Sequence, residues 1–393
     1  PLFPITPPFR TVFLANNERD FKSKVTAIKP INKNGALILF QADSPIQFQG
    51  VDTLQTSLGT KITIGDGGLF SQPLQSVVNT DASLEYGSCQ NRLSVINTPL
   101  GLFYMCENQG KVYQLTGGLK DITFSGLKFW FKKYLPYFLL QDFPTFELTD
   151  NPVIGIGCQA VYDNQIETVY FCKKDYKLRK DITDVVTYIS GNDFLVNGFL
   201  HTKLGDPRFF EDSSWTVSYD PKANQGEGAW ISFHDWHPTL LIPSKNSFMS
   251  ILDDTIWRHN VRTDSFCNYY GVDYPFELDY VVATGTTVNT LRSIEYYLEA
   301  YKYDASGINR FHILDSNFDQ AIIYNTEQVS GVLRLNLDPG TNPTAFLGYP
   351  IINPNNIDIL FSKVEQKYRF NSFWDVTDDR GEYTNAQRVI WLN

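Results

Sequence analysis

Residues 92–115, RLSVINTPLGLFYMCENQGKVYQL, decide the fold. Three short β-rich runs, Leu93–Ile96, Gly101–Cys106 and Lys111–Leu115, are broken by Asn97–Pro99 and Asn108–Gly110. Alternating apolar residues between Asn, Pro and Gly turns predict a meander of three strands. The theme repeats downstream. Gly157–Tyr162 and Glu167–Lys173 flank Asp163-Asn164, Trp215–Tyr219 and Ala229–His234 flank a polar loop, and Phe248–Leu252 and Thr255–His259 meet at Asp253-Asp254. Strands around Tyr280–Thr284 and Ile294–Tyr303 follow, then a trio at Phe311–Leu314, Ala321–Asn325 and Gly331–Leu337.

The midpoints of these meanders fall roughly 40–60 residues apart, near the period of propeller blades. The spacing predicts an all-β chain, an irregular β-propeller of meander and hairpin blades, although no WD, kelch or GH signature marks the repeats. The expected organisation is an N-terminal connector with first strands over 1–60, blades over 61–350, and strands over 351–393 that close or pack on the propeller. One segment departs from it. Across 124–138, Leu127, Trp130, Phe131, Tyr134, Leu135 and Phe138 fall at helical spacing, with Lys128, Lys132 and Lys133 opposite. This predicts a short amphipathic helix that weakens or ends at Pro136, either folded on a sheet or docking on a membrane surface or partner. Its lysines exclude a transmembrane span.

Composition narrows the function classes. The chain has 393 residues and a net charge of −10, with 33 Lys+Arg against 43 Asp+Glu, which argues against duplex DNA as the main partner. Aromatic residues make up 15% and charged residues 19%, so neither disorder nor a coiled coil fits. Met105 and Met249 are the only methionines, and Pro1, Pro4, Pro7 and Pro8 open the sequence. That start reads as a connector within a longer polypeptide. The scattered Cys89, Cys106, Cys158, Cys172 and Cys267 predict reduced core thiols, with Cys158 and Cys172 the pair that a hairpin could bring face to face.

Catalytic and metal motifs are weak. His234-Asp235-Trp236-His237 places two imidazoles three apart, but on a strand end before Pro238 and without a third ligand nearby. Asp375, Asp378, Asp379 and Glu382 surround Gly381, yet Arg380 breaks the calcium-loop spacing. Ser218-Tyr219-Asp220 lacks the glycine of a sialidase box, and no nucleophile elbow, P-loop, dinucleotide fingerprint or zinc-protease motif occurs. The reading is of a non-enzyme without cofactor or metal.

Three strings, SLEYGSCQNRLSVINTPLGLFYMCENQGKVYQLTGGLKDIT (83–123), SWTVSYDPKANQGEGAWISFHDWHPTLLIPSKNSFMSILDDTIWRHN (214–260) and YRFNSFWDVTDDRGEY (368–383), resemble tail nozzle proteins of short-tailed phages. The likeness is to the muzzle, or stabilisation, proteins of crAss-like phages, and it spans most of 60–390. It implies a virion structural protein made in the host cytoplasm. In that family a ring, typically of about six copies, closes the distal end of the tail, contacts the tail tube or hub, and gates genome release. The family carries no catalytic residue set, so none is transferred. An acidic passage would let DNA through without holding it. Trp215, Trp230, Trp236 and Trp257 cluster within 214–260 and are the candidate packing and interface residues. The competing readings are a carbohydrate- or receptor-binding virion module that stacks exposed Tyr and Trp on sugars, and a propeller hydrolase with paired carboxylates.

Overall fold

The computed structural model describes residues 20–32, 35–49, 53–55, 61–63, 74–77, 86–116, 118–149, 151–260, 267–282, 289–304, 309–313, 316–325, 327–335, 347–348, 359–364, 367–371 and 390–392. Strands dominate them, and every pairing between strands is antiparallel in the sheets described below. The chain divides into two units, Pro1–Val261 with Tyr269–Val272, and Arg262–Asn268 with Asp273–Asn393.

In the first unit the deciding stretch forms a four-stranded meander sheet in the order Leu119–Asp121, Lys111–Leu115, Gly101–Cys106, Ile96–Thr98. The run expected at Leu93–Ile96 is instead a 3-10 turn at Arg92–Ser94, with the strand starting at Ile96. Because strand side chains alternate, the sheet buries both faces. Leu102, Tyr104, Tyr113 and Leu115 pack with Leu37 and Leu39 of the strand Gly35–Phe40, whose sheet also contains Val25–Asn32, Ile46–Gln49 and Gln75–Ser76. Phe103, Met105 and Val112 face the other way, into the main core.

That core rests on a central sheet in the order Gly157–Asp163, Thr168–Lys174, Trp215–Asp220, Ala229–His234. Val169, Phe171, Trp215, Val217 and Tyr219 point into the core. The intervening Tyr170, Thr216 and Ser218 point to the opposite face. There a three-stranded sheet, Leu240–Pro243, Phe248–Leu252 and Thr255–Arg258, covers them. Phe248 lies 5.0 Å from Tyr170, and Gln159 binds the Pro238 carbonyl and the Leu241 amide.

Helices α1 (Lys128–Tyr134) and α2 (Phe138–Asp142) cover the core-facing side, with Pro136 between them. The amphipathic expectation splits here: Phe131 and Leu135 are buried, Lys128, Lys132 and Lys133 are exposed, and the helix folds onto the protein. Cys158 and Cys172 sit one register position apart, because Gln159 rather than Cys158 is the partner of Cys172. Their thiols therefore fall on opposite faces, and no disulfide joins any of the five cysteines.

In the second unit a sheet in the order Ser293–Tyr297, Lys367–Asn371, Ile359–Val364, Leu347–Gly348 carries a small core of Leu333, Leu335, Tyr368 and Phe370. Tyr296 and Tyr368 stack at 5.3 Å. The expected trio resolves into two hairpins, Ala300–Tyr303 with Arg310–Ile313 and Gln320–Tyr324 with Val329–Arg334. Residues 280–282 are not a strand.

The all-β reading holds, but the propeller does not. Among the described residues the strands form small separate antiparallel sheets of two to four strands, and none is closed or curled into a propeller or barrel. Two features explain the difference. Residues between Thr168–Lys174 and Trp215–Asp220 leave the central sheet to build two further small sheets, and sheets of this unit pack face to face across shared cores. Regular hairpin spacing is equally compatible with that stacking.

Candidate functional site

The four singled-out tryptophans divide between the two faces of the central sheet. On the helix-covered face, Trp215 is buried against Trp130 at 5.0 Å and Phe131 at 5.8 Å, and its indole N–H donates to the Tyr134 carbonyl at 3.1 Å. Trp230 packs 4.7 Å from Phe131 and 5.0 Å from Tyr219, donating to the Ile122 carbonyl at 3.0 Å. Each ring thus buries its apolar body and satisfies its polar atom on the helical layer.

A buried polar clamp fixes that layer. The fully buried Lys173 ammonium binds the Tyr134 and Pro136 carbonyls, each at 2.8 Å, and the fully buried Asp175 carboxylate at 2.7 Å. Those carbonyls close α1, where a cation also opposes the negative end of the helix. Asp175 in turn accepts from the Phe138 amide at 2.7 Å and the Leu139 amide at 3.3 Å, capping α2. One ion pair therefore holds the end of one helix and the start of the next. Beside it, the Tyr137 hydroxyl donates to Asn91 Oδ1 at 2.7 Å. Burial pushes the neighbouring Glu107 carboxyl up to about 7, against the pull of Lys173.

The opposite face is aromatic and imidazole-rich. Trp236 is 2% exposed and stacks on Tyr269 at 5.0 Å and His259 at 5.9 Å, with Tyr170 at 5.6 Å. Its indole N–H has no hydrogen-bond partner among the described residues. Trp257 sits at the margin of this cluster, 5.5 Å from Tyr270. His234 Nε2 lies 3.0 Å from the Ser218 hydroxyl, and His259 Nε2 lies 2.7 Å from Ser250 Oγ, which is also 2.7 Å from the Tyr270 hydroxyl. Burial lowers both imidazoles to about 4 and lowers His237 as well. Desolvation outweighs the pull of Asp235 on His234 and of Asp212 and Asp235 on His237, so the neutral ring is favoured.

These geometries place the other sequence candidates. His234 and His237 both bind hydroxyls of the strand Trp215–Asp220, through Ser218 and Thr216. No group of three His, Cys, Asp or Glu positioned for a metal ion occurs among the described residues. Ser250 is fully buried, so its contact with His259 is packing chemistry without access for a substrate. Asp375, Asp378, Asp379 and Glu382 lie outside the described residues. Among the described residues no helix is long and apolar enough to cross a membrane. Sequence reading missed Glu107, Tyr137, Lys173, Asp175 and His259. Its one signal was a lysine ending the apolar run TVYFCKK, which reads more simply as a strand emerging into solvent.

Compared with known proteins, the sequence matches no family model and no curated protein.

Proposed function

We propose that this chain is a virion structural protein, a nozzle (muzzle) component of a short phage tail. It assembles with other copies of itself into a ring at the distal end and contacts the tail tube or hub. Genome DNA passes through that ring without specific binding. The reading starts from the likeness of the strings at 83–123, 214–260 and 368–383 to such proteins. The observation that carries it is the apolar surface: Phe129, Val185, Phe199, Ile256, Tyr280 and Val281 are all exposed on the single chain. Contiguous apolar surface is what another protein covers, and in this reading these side chains are the ones neighbouring copies bring together and bury. The net charge of −10 suits a passage that repels phosphates.

The carbohydrate-binding reading needs rings free to stack on sugars, and its leading candidate, Trp236, is covered by Tyr170, Phe248 and Tyr269. Gold-labelled antibody against this chain, applied to short-tailed particles that encode it, tests the proposal. Labelling confined to the tail tip is expected. Particles that lack the chain, or carry it on the head, would overturn it.

A further inference from the structure

The strongest unassigned feature is a pair of exposed surfaces with complementary chemistry. On the first, Phe124, Lys128 and Lys132 follow one another at four-residue intervals, and all three are exposed. The Lys128 ammonium lies over the Phe124 ring, 4.5 Å from its centroid, so the row is continuous. Phe129, 81% exposed, and Lys133 flank it. None of the three lysines has a carboxylate partner among the described residues, although the chain is acidic. Lys128 and Lys132, four apart on α1, stand about 6 Å from each other, and Phe124 ends the 3-10 turn Ile122–Phe124 just before the helix.

The second surface is the run 275–282, PFELDYVV, which has no regular secondary structure. None of its backbone groups makes a hydrogen bond to a described residue, and Glu277 and Asp279 have no cationic partner there. Tyr280 and Val281 are 83% and 86% exposed. Drawn out as a strand, Glu277, Asp279 and Val281 fall on one face at a repeat of about 7 Å. The two acids then match the two lysines at nearly the same repeat, with an apolar residue beside each pair.

We propose that residues 275–282 of one copy dock on the Phe124, Lys128 and Lys132 row of a second copy, with Val281 against Phe124 and the carboxylates of Asp279 and Glu277 on Lys128 and Lys132. The occupant is a second copy because this chain itself carries the complement in charge, polarity and repeat. The contact joins two different surfaces, so it propagates head to tail, and such contacts close into rings when the rotation allows. It deepens the ring reading and rests on it. Unpaired backbone groups on the segment add hydrogen-bonding capacity to the contact.

Charge reversal tests it on the full chain, with light-scattering mass as the readout and circular dichroism to verify folding. Lys128→Glu/Lys132→Glu and Glu277→Lys/Asp279→Lys should each lose the self-association of the unchanged protein, at least tenfold in midpoint concentration. Mixing the two variants in equal amounts should restore it, since each then meets an opposite charge. Self-association untouched by either reversal would overturn the docking contact and leave the ring reading standing. A strictly monomeric unchanged chain would overturn both. Carbodiimide cross-links between these residues within one copy, shown by isotope-mixed samples, would also overturn the contact. So would phosphatidylglycerol vesicles that bind through Lys128 and Lys132 while assembly persists in both variants.

Discussion

On the helix-covered face of the central sheet, Lys173 and Asp175 are buried as a charged pair, while on the opposite face His259 is buried and His234 and His237 half-buried among rings and hydroxyls, with their charged forms disfavoured. The difference lies in what each face offers. Two helix ends supply carbonyls to Lys173 and amides to Asp175, so the charges keep their partners. On the other face, Ser250 of the covering sheet and Tyr270 beyond it supply hydroxyls, and His259 meets no counter-ion among the described residues. A buried charge persists only where partners are fixed in place, and elsewhere protonation adjusts instead.

Removing one partner breaks this comparison most sharply. Lys173→Met leaves the Asp175 carboxylate buried without its ammonium, and should cost about 3–5 kcal/mol in denaturant unfolding. The pair acts as a unit, so Lys173→Met/Asp175→Asn should cost less than the sum of the single changes.

Acidity separates the faces with opposite signs. For His234 and His259, lowered from 6.5 to about 4 in the fold, the contribution is present above 6.5 and lost as pH falls towards 4. For Glu107, raised from 4.5 to about 7, the contribution is full below 4.5 and lost as pH rises through 7. The two windows overlap between about 4.5 and 6.5, so there the histidines make stability rise with pH while Glu107 opposes the rise, by about 1–3 kcal/mol per group. In unfolding titrations over that window, Glu107→Gln should steepen the rise and His259→Phe should make it shallower. The opposite change of slope in either variant would contradict these assignments.

The indoles sharpen the comparison further. Trp215→Phe removes one of the two hydrogen bonds to the Tyr134 carbonyl, which keeps Lys173, whereas Trp236→Phe removes an N–H that has no partner among the described residues. The first should cost about 1 kcal/mol more than the second in paired unfolding curves. The smallest effect belongs to the surface: Lys120→Ala removes an exposed pair with Glu227 and should change stability by less than about 0.5 kcal/mol.

The sequence made local pairing legible and left assembly of the sheets hidden. Gly157–Asp163 with Thr168–Lys174 and Phe248–Leu252 with Thr255–Arg258 are hairpins whose turn residues announce them. Thr168–Lys174 pairing with Trp215–Asp220 is long-range, with other sheets built between, and no local pattern encodes it. The blade interpretation failed there, because even spacing of hairpins does not specify how sheets stack. Among the tryptophans, their clustering in sequence was visible, but their division between two faces depends on strand alternation and register. Lys173 stayed hidden because its partners, the ends of α1 and α2, arise only once Pro136 separates the two helices.

Direct imaging of the assembled chain by electron microscopy tests the central claim, that this protein works as a ring of its own copies. Closed rings of uniform copy number around an open centre are the expected result. Isolated monomers at every concentration, or open filaments without closure, would contradict it.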